Sequence, residues 1–330
     1  MLHVFAVIPL LLLAFALLVI GGAFGIAWTA MFPPSKGLGW CLGRGEPTGP
    51  EDFDTTGQER TLHLSRGDTT QAWDLVGHDP QGPCVLYAHG HAGSRFQALS
   101  LAGTLLPFAS RVITFDLPGH GDASARRCTV GVREPDDFAA LITQIHDELQ
   151  TDTPADEPAP ALVLFGTSMS AQSALAAAAQ PDVAPRLDGL VVYGIYRHFR
   201  EPFVGHLRRH RLPAFLFAPL ALGFLRLFLG PGVGFDRAAA ADRLRCTALF
   251  LHGDHDDLCP LASARYLRDR AAAAGVDAQL AVFPGGGHTR LHQTHPEPYT
   301  QTISGFLHRF RTPRADGPPS KPHLANPTSP

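Results

Sequence analysis

At 330 residues, 45% apolar and 17% charged, the chain has the make-up of a globular or membrane-associated protein, and its composition excludes a disordered one. A net charge of −3 gives no general attraction to nucleic acid or to an anionic bilayer. Five cysteines (Cys41, Cys84, Cys128, Cys246 and Cys259) stand apart without a CxxC pair; the spacing fits no zinc site and reads as isolated buried thiols.

The first element is apolar. Residues 4–30, VFAVIPLLLLAFALLVIGGAFGIAWTA, contain no charged side chain. A helix needs about 20 apolar residues to cross the hydrocarbon, so residues 1–30 predict a transmembrane anchor. Pro9 falls near its start, where a missing backbone donor does least harm. A cleaved signal peptide is the rival reading, but no Lys or Arg precedes the run, and Trp28 interrupts the best small-x-small cleavage site. Lys36 and Arg44 flank only the C-terminal side, a bias toward a cytoplasmic catalytic domain that two charges leave open. Residues 31–55 are rich in Pro and Gly and read as a linker. At the other end, 313–330 has the composition of a disordered tail.

Residues 56–312 form the main domain. Runs 61–64 and 72–76 read as a leading antiparallel pair, followed by short apolar strands at 84–88, 112–115, 162–165, 190–193, 248–251 and 279–283. Strands without polar alternation are buried on both faces, as in a parallel sheet covered by helices. Helical periodicity falls at 136–150, 169–180, 261–274 and 298–310. The alternation predicts an α/β fold with a doubly wound, mostly parallel sheet. Residues 196–240 break the rhythm: they are too long for an ordinary connection, helical in period, and interrupted by Pro202, Pro213, Pro219 and Pro231. This is an inserted helical cap.

The strand at 162–165 runs into Gly166-Thr167-Ser168-Met169-Ser170 and then an Ala-rich helix. A tight strand-to-helix turn holds Ser168 at a strained, exposed tip, with the helix N-terminus behind it to favour a developing oxyanion. Small residues are needed two before and two after the serine; Gly166 meets the need, and Ser170 stands where Gly is usual.

The runs HGHAGS, FDLPGHGDAS, GTSMS, LHGDHDDLCP and GGGH occur in this order. Together they resemble the α/β-hydrolase superfamily over roughly residues 60–310, and Asp116, Gly119, His120, Gly121 and Ser124 match its DxxGHGxS-type turn. The resemblance implies that Asp256 is the triad acid within HGxxDxxxP, with Asp254 and Asp257 as close rivals. It implies His288 as the base, reached through a flexible glycine loop, while His292 and His295 read as solvated positions leading the next helix. Backbone N–H groups of His91 and Met169 would form the oxyanion hole. His89 and His91 make an HxH pair without a third ligand nearby, so no metal is expected, and no cofactor. The implied chemistry is acyl transfer to water through Ser168, His288 and Asp256. Two alternatives stay open: a catalytically silent, membrane-bound binding protein, and transfer of the acyl group to an acceptor other than water. The cap adds a substrate expectation. Residues 212–230 are apolar with Arg226 as their one charge, and Arg197, Arg200, Arg208, Arg209 and Arg211 precede them. Basic residues beside an apolar helix suggest an interfacial element and a lipid-like substrate, against the plainer reading of a cap packed on the core.

Overall fold

The computed structural model describes residues 2–312, so the tail expected at 313–330 lies outside the described residues. The first element, α1 (Leu2–Met31), is the apolar helix. Its buried positions Val19, Ala23, Ala27 and Met31 recur every fourth residue and so line one face, while Leu10, Leu11, Leu12, Leu13, Phe15, Leu17 and Leu18 stay exposed. Only the C-terminal half of α1 therefore packs on the protein.

Residues 31–55 depart from the linker expectation. They contain α2 (Leu38–Leu42) and a 3-10 turn at Pro50–Phe53, with Cys41 fully buried. Trp40 is covered by Lys36 and Arg44 at 5.1 and 4.3 Å from its ring centre. Pro and Gly composition here marks tight turns in a packed segment, not a free spacer.

Eight strands form one sheet: β1 (Gly57–His63), β2 (Thr69–Val76), β3 (Cys84–Ala88), β4 (Arg111–Phe115), β5 (Leu162–Thr167), β6 (Gly189–Tyr193), β7 (Thr247–Gly253) and β8 (Ala278–Phe283). Their spatial order is β1-β2-β4-β3-β5-β6-β7-β8. The β1–β2 and β2–β4 pairs are antiparallel and the remaining five pairs parallel. Every residue of β3, β5 and β6 is buried, as their unbroken apolar composition requires. Helices cover both faces: α3 (Arg95–Ala102), α4 (Glu134–Asp152) and α5 (Met169–Ala178) come first, and the cap follows β6. The cap comprises α6 (Arg200–Arg209), α7 (Ala214–Leu229) and α8 (Ala238–Arg243). Then come α9 (Leu261–Ala273), α10 (Leu291–Thr294) and α11 (Pro296–Leu307).

Two apolar clusters result, one on each side of the sheet. The larger joins α4, α5, α9, the cap and the buried stripe of α1; the smaller joins α3 and α11. The cap prolines act less as breakers than expected. Pro202 and Pro219 lie inside α6 and α7, while Pro213 and Pro231 punctuate their ends. Helix α1 lies against α7: Phe24 meets Phe224 edge-on at 5.6 Å, and a Cβ at Gly22 would come within 2.9 Å of the Phe217 ring.

The chain leaves β3 toward β4 on one side, and β5 pairs β3 on the other. Such a reversal opens a crevice beyond the carboxyl ends of these strands. β3 ends at Ala88, opposite Gly166, and β5 runs one residue further, to Thr167.

Candidate active site

Ser168 begins where β5 ends. Its backbone sits at φ 56° and ψ −113°, a sterically unfavourable conformation for a residue with a Cβ. The turn is held by Ser168 N–H donating to the Tyr193 carbonyl at 2.8 Å. Gly166 is obligatory here, because a Cβ on it would lie 2.6 Å from the Ser170 carbonyl oxygen. Ser170, by contrast, is well used. Its Oγ accepts the Thr167 N–H at 3.0 Å and faces the carbonyl oxygens of Ala88 and His89 at 2.7 and 2.6 Å. One hydroxyl proton serves one carbonyl at a time. The departure from Gly thus ties the serine turn to the end of β3.

The other two residues arrive from β7 and β8. His288 Nε2 is 2.9 Å from Ser168 Oγ, and His288 Nδ1 is 2.7 Å from Asp256 Oδ2. Asp256 Oδ1 accepts the N–H groups of Leu258 and Cys259, each at 2.9 Å. Burial by itself works against the Asp256 charge, but the His288 bond and these amides hold its carboxyl below the ordinary value. The rivals point elsewhere. Asp254 accepts Gly285 N–H at 2.7 Å, and exposed Asp257 sits 3.7 Å from Arg209. The acid and base loops meet at Gly253, where a Cβ would lie 2.1 Å from the Gly286 carbonyl oxygen.

His292 and His295 are not solvated as expected. His295 Nε2 contacts the Pro284 carbonyl at 3.0 Å. His292 packs on the Tyr299 ring at 6.0 Å, and burial, followed by the Arg290 charge, lowers its pKa to about 4.

The loop after β3 passes beside the serine: a Cβ at Gly90 would be 3.4 Å from Ser168 Cβ. The N–H groups of His91 and Met169 find no acceptor among the described residues. That leaves two free donors near Ser168, one of them at the first turn of α5, where the helix dipole is positive.

Residues not singled out for this purpose in the sequence hold that loop in place. His89 Nε2 accepts Leu117 N–H at 3.2 Å while its Nδ1–H donates to the Gly90 carbonyl at 2.7 Å. His120 Nε2 accepts Ala92 N–H at 3.0 Å while its Nδ1–H donates to the Pro118 carbonyl at 3.0 Å. Accepting a backbone N–H requires a neutral ring, and burial lowers both pKa values in that direction. Asp116 is buried beneath them, taking Arg95 N–H at 2.7 Å and its guanidinium at 2.5 Å. His91, His120 and Cys128 lie close together, as do Asp256, Cys259 and His288. His120, Asp256 and His288 already spend their donor atoms on the bonds above, and burial pushes both thiols well up, away from the thiolate a metal would need.

A cavity of about 590 Å³ lies between the cap and the acid loop, with Phe199, Leu222, Val233 and Phe235 among its walls and Asp256 and Leu258 bordering it. Arg200, Arg208 and Arg226 line it as well.

Residues 85–302 match the model of the alpha/beta hydrolase family. The chain belongs to this family. The α/β-hydrolase is 22% identical over 239 residues to an uncharacterised protein of Bacillus subtilis, spanning 72% of this chain and 74% of that one. It is 31% identical over 107 residues to a monoacylglycerol lipase of Mycolicibacterium smegmatis, 32% of this chain and 33% of the lipase. An esterase of Pyrococcus furiosus superposes with a TM-score of 0.64 at 18% identity, covering 79% of this α/β-hydrolase and 94% of the esterase. At that identity the superposition speaks for the shared fold alone.

Proposed function

We propose that this α/β-hydrolase is a membrane-anchored serine hydrolase that cleaves a carboxylic ester, or a related acyl bond, of a lipid-like substrate. The observation that carries the reading is the unbroken relay from Ser168 Oγ to His288 at 2.9 Å and from His288 to Asp256 at 2.7 Å. His288 Nε2 takes the Ser168 proton as Oγ attacks the carbonyl carbon, and the oxyanion is received by the free N–H groups of His91 and Met169. His288 returns the proton to the leaving alkoxide, and water then releases the acyl group by the same route. Asp256 holds the Nδ1–H tautomer and stabilises the imidazolium. The lipid-like part of the reading rests on the apolar cap and its packing against the apolar α1, with the likeness of a third of the chain to a monoacylglycerol lipase in its favour.

The test is a fluorophosphonate probe together with p-nitrophenyl esters of increasing chain length. Ser168 is expected to be labelled. Ser168→Ala and His288→Ala are each expected to lose several orders of magnitude in turnover at unchanged thermal midpoint. Faster turnover of long than of short esters is expected from the cap. A preference for acetyl esters removes the lipid-like substrate and leaves the triad standing; an unlabelled Ser168 removes the hydrolase mechanism itself.

A further inference from the structure

A helix end leaves its last carbonyls without intrahelical partners. At the C-terminal end of α1 the catalytic domain takes two of them. The Met31 carbonyl accepts Cys128 N–H at 2.9 Å, and the Ala30 carbonyl accepts the His91 Nε2–H at 2.9 Å. The same seam continues along the chain: Ser94 Oγ–H donates to the Lys36 carbonyl at 2.5 Å, and Ser35 Oγ accepts Gly121 N–H at 2.9 Å. The residue that caps α1 with its side chain is thus the one whose backbone N–H, without an acceptor among the described residues, is read above as the first oxyanion donor.

The loop needs such a grip. Ala92, the next residue, has φ 61°, a left-handed conformation that a side-chain-bearing residue keeps only when its surroundings over-determine it. One restraint comes from within the domain, through Ala92 N–H to His120 Nε2 at 3.0 Å. A further restraint comes from α1. We infer that α1 is a wall of the active site, and that its C-terminal carbonyl at Ala30, acting through the His91 side chain, positions the loop carrying the first oxyanion amide. His91 in this role is a positioning residue as well as an amide donor, and the inference rests on the serine-hydrolase reading above. Cleavage of α1 would then remove part of the catalytic framework and uncover the pockets that hold Ala23, Ala27 and Met31. An oxyanion donor is effective only within a few tenths of an ångström of its place, and small misplacements lower turnover without weakening ground-state binding.

The experiment uses the full chain in detergent micelles with a short p-nitrophenyl ester, reading kcat and KM separately alongside the rate of fluorophosphonate labelling. His91→Ala is expected to lower kcat and the labelling rate by about ten- to a hundredfold with KM within about twofold. His91→Gln, which restores an N–H within reach of the Ala30 carbonyl, is expected to recover most of the loss; a fold defect alone would not show that split or that rescue. If His91→Ala does not fold, Gly22→Leu decides the matter, because it wedges α1 against Phe217 without touching the serine turn, and a several-fold fall in kcat is expected. A wild-type kcat in the folded His91→Ala variant, or in Gly22→Leu when the first does not fold, overturns the inference, and so does a change confined to KM. Absence of labelling in the wild type would instead sink the hydrolase reading beneath it.

Discussion

Asp256 differs from its two neighbours in what its oxygens do. One faces His288 Nδ1 and the other accepts two backbone N–H groups, so the carboxylate is satisfied on every side and cannot swing. Replacing it by Asn presents the imidazole with an amide that can donate as well as accept, which allows the wrong tautomer. Asp256→Asn is therefore expected to lower kcat by about 10⁴, while Asp257→Asn, exposed and 3.7 Å from Arg209, stays within about twofold of wild type. Steady-state rates on a short ester, measured beside thermal midpoints, check this; a larger loss in Asp257→Asn means the acid was misassigned. The resemblance of residues 252–260 to the family's HGxxDxxxP made this residue readable in the sequence. The role of Ser170 was not readable, because the carbonyls its hydroxyl meets belong to Ala88 and His89, some eighty residues earlier in the chain. In the sequence it stands only as a departure from the usual Gly. In the fold it is a tie between two loops.

At the level of elements, the buried parallel strands were legible because each is a continuous apolar run, and β3 begins and ends where its sequence does. The edges were harder. Helix α3 escaped notice, since its buried face includes Arg95, whose guanidinium is neutralised by Asp116, Asp122 and Glu59. The segment 31–55 escaped for a related reason: what folds it is contact with α3 and the loop after β3, not its own periodicity. The C-terminal helical pair carries a consequence of the same kind. His292 stands in the short α10 against Tyr299 of α11, with its Nδ1 buried and unpartnered. Its folded-state pKa of about 4 lies below the unfolded value near 6.5, so below that point the unfolded chain binds the extra proton. Stability is then fully present above about pH 6.5 and is lost as the pH falls toward 4. His292→Phe, which keeps the ring contact and removes the titration, is expected to flatten this slope by about 2 kcal/mol between pH 7 and 4, after allowing for partial solvent screening. Chemical denaturation across that range measures it, and an unchanged slope would place the acid sensitivity on His89 and His120 instead.

For the whole molecule, the question is how the catalytic domain sits if α1 crosses a bilayer as proposed. Aromatic side chains gather at membrane–water boundaries, and α1 carries Phe24, Trp28 and Phe32 in a half-exposed row, with the Trp28 and Phe32 rings 4.4 Å apart. Charged residues begin only at Lys36. The boundary therefore falls near Trp28, and a hydrocarbon layer of about 20 residues extends back from it along α1. Helix α7 packs against this same stretch, through Phe217 at Gly22 and through Phe224 and Phe228 at Phe24. It cannot stand clear of the membrane while α1 spans it. Its outward face fits that position: Phe215 is 84% and Leu227 74% exposed, an arrangement that is unfavourable in water and natural among acyl chains. Arg208 and Arg209 at the end of α6 stay exposed and would meet lipid phosphates in that arrangement. Full-length protein in native membranes should stay in the pellet after a carbonate wash. All five native cysteines are buried, so a nitroxide on Phe215→Cys reports a single site. In anionic vesicles that label is expected to be more accessible to oxygen than to a water-soluble nickel complex, the reverse of a control label on Ala272→Cys of α9. Equal accessibility at the two sites would detach the cap from the bilayer, and with it the direct path for a lipid from the membrane to Ser168.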